Sequence, residues 1–210
     1  MLFELNFKFN NMKKLLLVVV LMAQFGFGQE NLTSYNSSYF SKKYDVMVSR
    51  PDDKGKFSYY VDCSTYDTGS RNINLIIKNE EVESFVSFLN DVKGLYLKWK
   101  QTAIENKVAE LDKSVESKKV TLGVGFHYGS WHFDFSANIT ARFRIIKGSY
   151  LMLIESDKLV ASDNQYITNK GMVIAFSSEK EFDDFIKVFD KNLVDNFFNS
   201  KSSKESLFKE

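Results

Sequence analysis

Two histidines and an aspartate lie close together in the stretch 127–134, and their side chains are of types that bind metal ions. His127, His132 and Asp134 supply two imidazoles and a carboxylate, and three such ligands with one open position are typical of a catalytic zinc site. A metal-dependent hydrolase is therefore one hypothesis. Against it, H-x4-H is not a recognised ligand spacing, and the chain has only these 2 histidines. We predict no metal or other cofactor and keep the zinc site as the alternative.

The elements that must position these residues are two β-strands. The stretch FHYGSWHF (126–133) predicts a hairpin with Gly129 and Ser130 as a two-residue turn. In that register His127 faces His132. One face of the hairpin then collects apolar side chains: Leu122, Val124, Phe126, Tyr128, Trp131, Phe133, Phe135 and Ala137. The other face collects Thr121, Gly123, Gly125, His127, His132, Asp134, Ser136 and Asn138.

The predicted polar face of the hairpin is a candidate binding surface. Gly123 and Gly125 have no side chains, so they leave a shallow bare strip beside Asp134 and Ser136 where a ligand or the backbone of a partner can approach. The alternative is structural, because glycines in a strand also accommodate a bend or a bulge.

Two arginines extend the list of candidate ligand-binding residues. Arg142 and Arg144 alternate along one predicted strand and project to the same side, where they can grip an anionic ligand. The alternative is a solvated strand face on which both side chains point into water.

The signatures of the main enzyme classes are missing from the sequence. It contains no nucleophile elbow, no glycine-rich phosphate loop, no H-E-x-x-H motif and no pair of cysteines. A hydrolase that uses two carboxylates has no fixed spacing, and none of the acids, Asp134, Glu155 and Asp163 included, stands out as a partner in such a pair. The sequence favours a protein that is not an enzyme.

Composition and charge narrow the class of partner. The chain has 44% hydrophobic residues, including 20 Phe and 10 Tyr, which is enough for a large core. Its 28 Lys+Arg and 27 Asp+Glu leave a net charge of +1. Because no field of one sign exists to attract phosphates, we expect no nucleic-acid partner.

The first 28 residues predict a secretory signal peptide. Two lysines follow Met12, an apolar run follows them, and small residues precede Gln29. We therefore expect Met12 to be the true start of a bacterial protein that is exported to the periplasm or beyond, without a stable membrane anchor once the signal is cleaved. The alternative is an uncleaved inner-membrane anchor, although the apolar run is shorter than the roughly 20 residues that a spanning helix needs.

Cys63 is the only cysteine, so an internal disulfide is excluded. The alternation of the stretch FSYYVDC places Cys63 on the same face as Tyr59 and Val61. The sequence therefore predicts a buried, unreactive thiol.

The remaining patterns predict an α+β fold. Residues 29–43 read as a disordered tether, 44–198 as a single domain and 199–210 as a frayed tail. Within the domain we expect one antiparallel sheet, a meander of about seven to nine strands, with one face covered by two amphipathic helices. The expected elements are a hairpin of 44–49 with 57–63, a strand at 72–77, helices at 79–110 and 178–196, and further short strands between about 120 and 176.

The two predicted helices share a pattern. Phe85 and Phe185 lie one hundred positions apart, as do Val82 and Phe182, and each set follows predicted strands. Two duplicated halves, each of strands followed by a helix, explain the repeat. Chance is the alternative, because any capped amphipathic helix shows the same spacing.

These observations favour an exported, non-catalytic binding or interaction protein. Its unknown protein or small-molecule partner would meet the polar face or an edge strand of the sheet. A carrier that holds a small apolar ligand between sheet and helices is the first alternative, suggested by the density of phenylalanine. The metal-dependent hydrolase on His127, His132 and Asp134 is the second.

Overall fold

The computed structural model describes residues 28–69 and 72–206. The predicted signal peptide lies outside the described residues, except for Gly28. The strands are β1 (Gln29–Ser37), β2 (Lys42–Ser49), β3 (Ser58–Asp62), β4 (Ser64–Thr65), β5 (Ile73–Lys78), β6 (Leu111–Tyr128), β7 (Ser130–Ile146), β8 (Ser149–Ser156), β9 (Leu159–Ala161), β10 (Asn164–Asn169) and β11 (Met172–Phe176). The helices are α1 (Val82–Glu105), preceded by a 3-10 turn (Asn79–Glu81), α2 (Glu179–Lys187) and α3 (Lys191–Ser206).

The strands build a nine-stranded antiparallel sheet in the order β1-β2-β3-β5-β6-β7-β8-β11-β4, and β9 pairs with β10 separately. Strand β4 pairs with β11 at one edge of the sheet, yet only Cys63 separates β4 from β3, which lies on the other side of the sheet. The sheet must therefore curl to bring β11 and β3 close together. The predicted fold class, α+β with a large antiparallel sheet, is confirmed. The predicted hairpin of 44–49 with 57–63 is also present, as the pairing of β2 with β3.

The inner face of the curled sheet packs on α1 and α2. These helices present an aromatic stripe, as their spacing predicts, and the rings interlock: the Phe176 and Phe182 centroids lie 4.1 Å apart and those of Phe85 and Phe189 5.5 Å apart. The rings occupy the space in which the carrier hypothesis places a ligand. A hollow of about 200 Å³ remains between Trp99 and Lys113, which is smaller than the usual ligand pocket of about 300–1,000 Å³.

Cys63 is buried, as predicted, with 5% of its surface exposed. Burial raises the pKa of its thiol to about 12. Since the thiolate is the reactive form, this cysteine is inert.

Several predicted boundaries are wrong. The expected tether at 29–43 forms β1 and the start of β2, because the backbone of β1 pairs along β2 although its sequence is polar. The expected helix at 178–196 is two helices, since the chain turns at 188–190. The expected frayed tail continues α3 to Ser206, and residues 207–210 lie outside the described part.

The helix predicted at 79–110 ends earlier, at Glu105, and it runs through Gly94 without a break. The stretch that follows it belongs to β6, whose first residues pair with the far end of β7. The duplication stays a prediction: β5 leads into α1 and β11 into α2, but the strands before each helix differ in number and pairing.

Candidate functional site

The β6–β7 hairpin has a different register at its tip from the predicted one. Phe126 lies opposite His132, and His127 lies opposite Trp131. The chain reverses around Gly129 alone, whose φ of +73° lies in the left-handed region that glycine adopts without strain. The predicted register returns at Leu122, which faces Ala137.

A β-bulge in β7 explains why the register differs from the predicted one at the tip and agrees with it further along the hairpin. Phe135 and Ser136 together lie opposite Gly123, between the pairs of Val124 with Asp134 and of Leu122 with Ala137. One extra residue in a strand moves every side chain beyond it to the other face. The predicted faces of β6 are therefore right, whereas those of β7 between the turn and the bulge are inverted.

The inversion separates the predicted metal ligands. His127 lies on the outer face of the sheet, opposite Trp131, and His132 lies on the inner face, where its ring centroid is 6.1 Å from that of Phe126. The Asp134 carboxylate accepts hydrogen bonds from the backbone N–H of Ser136 (3.0 Å) and of Val160 (3.1 Å). The three side chains do not converge on one point. Within residues 28–69 and 72–206, no group of three His, Cys, Asp or Glu is placed to hold a metal ion.

The same inversion creates an aromatic groove on the outer face of the sheet. Trp131, Phe133 and Phe135 lie side by side along β7, and the rings of Phe133 and Phe135 are stacked at 5.7 Å with an angle of 7°. Tyr60 and Ile76 complete its apolar walls, and its volume is about 520 Å³. Phe135 is 66% exposed and Trp131 43%, so the rings are open to a ligand. We call this surface the aromatic groove.

Gly123 and Gly125 form the floor of the groove, although they do not form the bare strip that the sequence predicts. A side-chain carbon at Gly125 would lie 3.2 Å from Cε1 of Phe133, and one at Gly123 would lie 3.2 Å from Cβ of Ile76. Both contacts are tighter than packed atoms prefer. The glycines therefore let Phe133 and Ile76 lie close against the sheet.

Polar groups stand at the rim of the aromatic groove. Ser58, Lys78 and Glu81 line it from β3, β5 and the turn before α1. The Lys78 ammonium and the Glu81 carboxylate are 3.6 Å apart, and both are partly exposed. An apolar floor with a few polar groups at its margin is the usual composition of a small-molecule site.

The two predicted arginines lie elsewhere on the outer face, in what we call the charged patch: Arg142, Arg144, Asp112, Glu155 and Tyr66. Arg142 donates to Glu155 (2.6 Å) and to Asp112 (3.1 Å), and the Tyr66 hydroxyl donates to Glu155 (2.8 Å). These hydrogen bonds, that to Glu155 above all, raise the pKa of the Arg142 guanidinium above its ordinary value. Arg144 contacts Asp112 at 3.3 Å. Both arginines thus form ion pairs with acidic side chains of this chain.

The sequence missed the aromatic residues of the groove, because the assumed two-residue turn placed Trp131, Phe133 and Phe135 in the core. A signal was present. Two glycines one residue apart lie near three alternating aromatics on the neighbouring strand, and an aromatic ring that covers a glycine is a known pairing in sheets.

Comparison with protein-family models, curated proteins and solved structures finds no match to the chain. In the part of the chain that the structure describes, no helix is long and apolar enough to cross a membrane.

Proposed function

We propose that the protein is an exported binding protein that takes a saccharide ring in the aromatic groove. The observation that carries the proposal is the row of three aromatic side chains on one strand, in which Trp131 and Phe135 are exposed and Phe133 lies half-buried between them. Such rings on a monomer surface are costly to expose and mark interaction sites.

The chemistry of the groove favours a sugar among small ligands. The face of an aromatic ring carries negative charge density, so it attracts the weakly positive C–H groups on the face of a sugar ring. The hydroxyl groups around the edge of that sugar need hydrogen-bonding partners. Ser58, Lys78 and Glu81 stand at the rim where such partners are required.

A fluorescence titration tests the proposal. The chain has 2 tryptophans, Trp99 and Trp131, and Trp99 is partly buried and packs on Phe143. In a Trp99→Phe variant, Trp131 alone reports. We expect a saturable change in emission with at least one soluble oligosaccharide from a panel of α- and β-linked glucose and N-acetylglucosamine oligomers. If no saccharide changes the emission of Trp131, the proposal is wrong.

Trp131→Ala is the decisive variant, and Tyr166→Ala is its matched control. Tyr166 lies on β10, does not line the groove and is 87% exposed. By calorimetric titration we expect Trp131→Ala to weaken saccharide binding at least tenfold, about 1.4 kcal/mol, and Tyr166→Ala to leave it unchanged. Equal binding by the two variants would contradict a site at Trp131.

Export is the second part of the proposal and rests on the signal-like pattern of the first 28 residues. Cell fractionation with N-terminal sequencing tests it. We expect a processed chain that begins near Gln29, outside the cytoplasm. A product that begins at Leu2 or Phe3 would contradict both the cleavage and the assignment of Met12 as the start.

A further inference from the structure

A serine, a histidine and an aspartate form a chain of contacts at the tip of the β6–β7 hairpin. The Ser130 hydroxyl oxygen lies 3.0 Å from Nε2 of His132. On the other side of the ring, Nδ1 of His132 lies 3.4 Å from a carboxylate oxygen of Asp163. The inverted register produces this chain, since it puts His132 on the inner face together with Ser130.

The two nitrogens of His132 have different partners, and this difference fixes their roles. A carboxylate only accepts hydrogen bonds, so the contact with Asp163 places the ring proton on Nδ1. Nε2 then carries the lone pair and accepts the proton of the Ser130 hydroxyl. This is the tautomer that a histidine needs to act as the base for a serine nucleophile.

The surroundings hold this arrangement in place while leaving the serine open. His132 is 7% exposed and packs on Phe126. Asp163 lies in the turn between β9 and β10. A hydrogen bond from the Ser162 N–H to the Phe133 carbonyl (2.8 Å) holds this turn against β7. Ser130, next to the turn at Gly129, is exposed, so an acyl group can reach its oxygen.

We propose that Ser130, His132 and Asp163 form a hydrolytic site for small carboxylic esters, an activity beyond the binding proposed for the aromatic groove. The bond from Oγ of Ser130 to the acyl carbon forms as the bond from that carbon to the alcohol oxygen breaks. His132 Nε2 takes the serine proton and delivers it to the departing alcohol. Water then attacks the acyl-serine, loses its proton through His132, and releases the acid and the free serine.

Asp163 acts in this scheme as a positioning residue, because it touches His132 and not the substrate. Its side chain is 67% exposed, so it can be replaced with little effect on the fold. An Asp163→Asn variant lacks the negative charge that stabilises the histidine when it carries the extra proton. The change should therefore slow the acylation of Ser130 without altering the thermal unfolding of the protein.

The experiment uses a fluorophosphonate probe and p-nitrophenyl acetate, with mass spectrometry to locate the modified residue. We expect both reagents to modify Ser130. The rate should be lost in Ser130→Ala and fall at least tenfold in Asp163→Asn, with partial recovery in Asp163→Glu. Ser149→Ala is the matched control: Ser149 also follows a hairpin glycine with positive φ, Gly148, and its loss should change nothing.

Two results would overturn the proposal. One is the absence of any modification at Ser130 in the folded wild-type protein. The other is a rate in Asp163→Asn equal to that of the wild type, which would make the contacts of His132 structural alone. Because Ser130 and Asp163 are both exposed, neither result depends on variants that fail to fold.

Discussion

The aromatic groove and the charged patch lie on the same outer face of the sheet, yet their side chains are used differently. In the charged patch, Arg142 is held between Glu155 and Asp112, so its charge is satisfied within the molecule. In the groove, Trp131 and Phe135 present their rings to solvent. Residue type alone therefore does not identify a binding site: the arginines are paired with acids of this chain, and the exposed rings are available to a ligand.

Removal of Arg142 should have the largest effect on stability. Arg142→Ala leaves Glu155, whose side chain is only 13% exposed, without its cationic partner. We expect a loss of about 2 kcal/mol in the free energy of unfolding by urea titration, with saccharide binding unchanged. Lys180→Ala, which removes an exposed ion pair with Asp184, should leave the free energy of unfolding nearly unchanged, because water screens an ion pair at the surface. Loss of saccharide binding in Arg142→Ala would erase the distinction between the two regions.

A methyl group in the floor of the groove should have a smaller effect on stability and a clear effect on binding. Gly125→Ala places a carbon 3.2 Å from the Phe133 ring, so that ring must move outward into the groove. We expect a cost of about 1 kcal/mol and severalfold weaker saccharide binding.

Gly94→Ala is the control for that substitution, since no atom beyond the neighbouring backbone of α1 lies within 4 Å of the added carbon. It should raise the free energy of unfolding by about 0.5–1 kcal/mol, through the higher helix propensity of alanine. If Gly125→Ala also stabilised the protein and bound sugar normally, Phe133 would not depend on the glycine floor.

The smallest expected effect is on the pH dependence of stability and involves Glu181 of α2. Burial alone would raise the pKa of Glu181, but hydrogen bonds from Ser177 and Ser38 outweigh it and lower that pKa below its ordinary value of 4.5. A lowered pKa in the folded state gives stability that is present above the ordinary value and is lost as the pH falls through the folded value.

Glu181→Gln should therefore flatten the decline of stability below about pH 4.5. Thermal unfolding followed across that pH range checks it, with saccharide affinity at neutral pH as the control. An unchanged slope would mean that other carboxylates, such as Glu30 with its hydrogen bonds to Lys201 and Arg50, dominate the acid response.

The fold was largely predictable from the sequence because alternation and helical spacing report burial directly. Phe85, Leu89 and Phe182 are buried as their spacing predicts. Strand β1 was missed, because it is an edge strand held by backbone pairing to β2 and its composition is polar.

The aromatic side of the groove was missed for a different reason. The sequence around Gly129 is compatible both with a turn at Gly129 alone and with a two-residue turn. Beyond the bulge at Phe135 and Ser136, the observed pairing is the same as the predicted one. The alternation of apolar and polar residues therefore agreed with a register that places Trp131 and His132 on the wrong faces of the sheet. In the observed register Phe133 packs over Gly125.

One NMR experiment can test directly whether a saccharide binds in the aromatic groove or at the charged patch. NMR spectra of the ¹⁵N-labelled protein resolve the Trp131 indole N–H, the backbone amides of Gly123 and Gly125, and the side-chain Nε–H groups of Arg142 and Arg144. On addition of the oligosaccharide that binds most tightly, we expect the signals of the groove to move in a saturable way and those of the arginines to stay in place. Shifts confined to the arginines would contradict a saccharide site in the groove and make the charged patch the binding site.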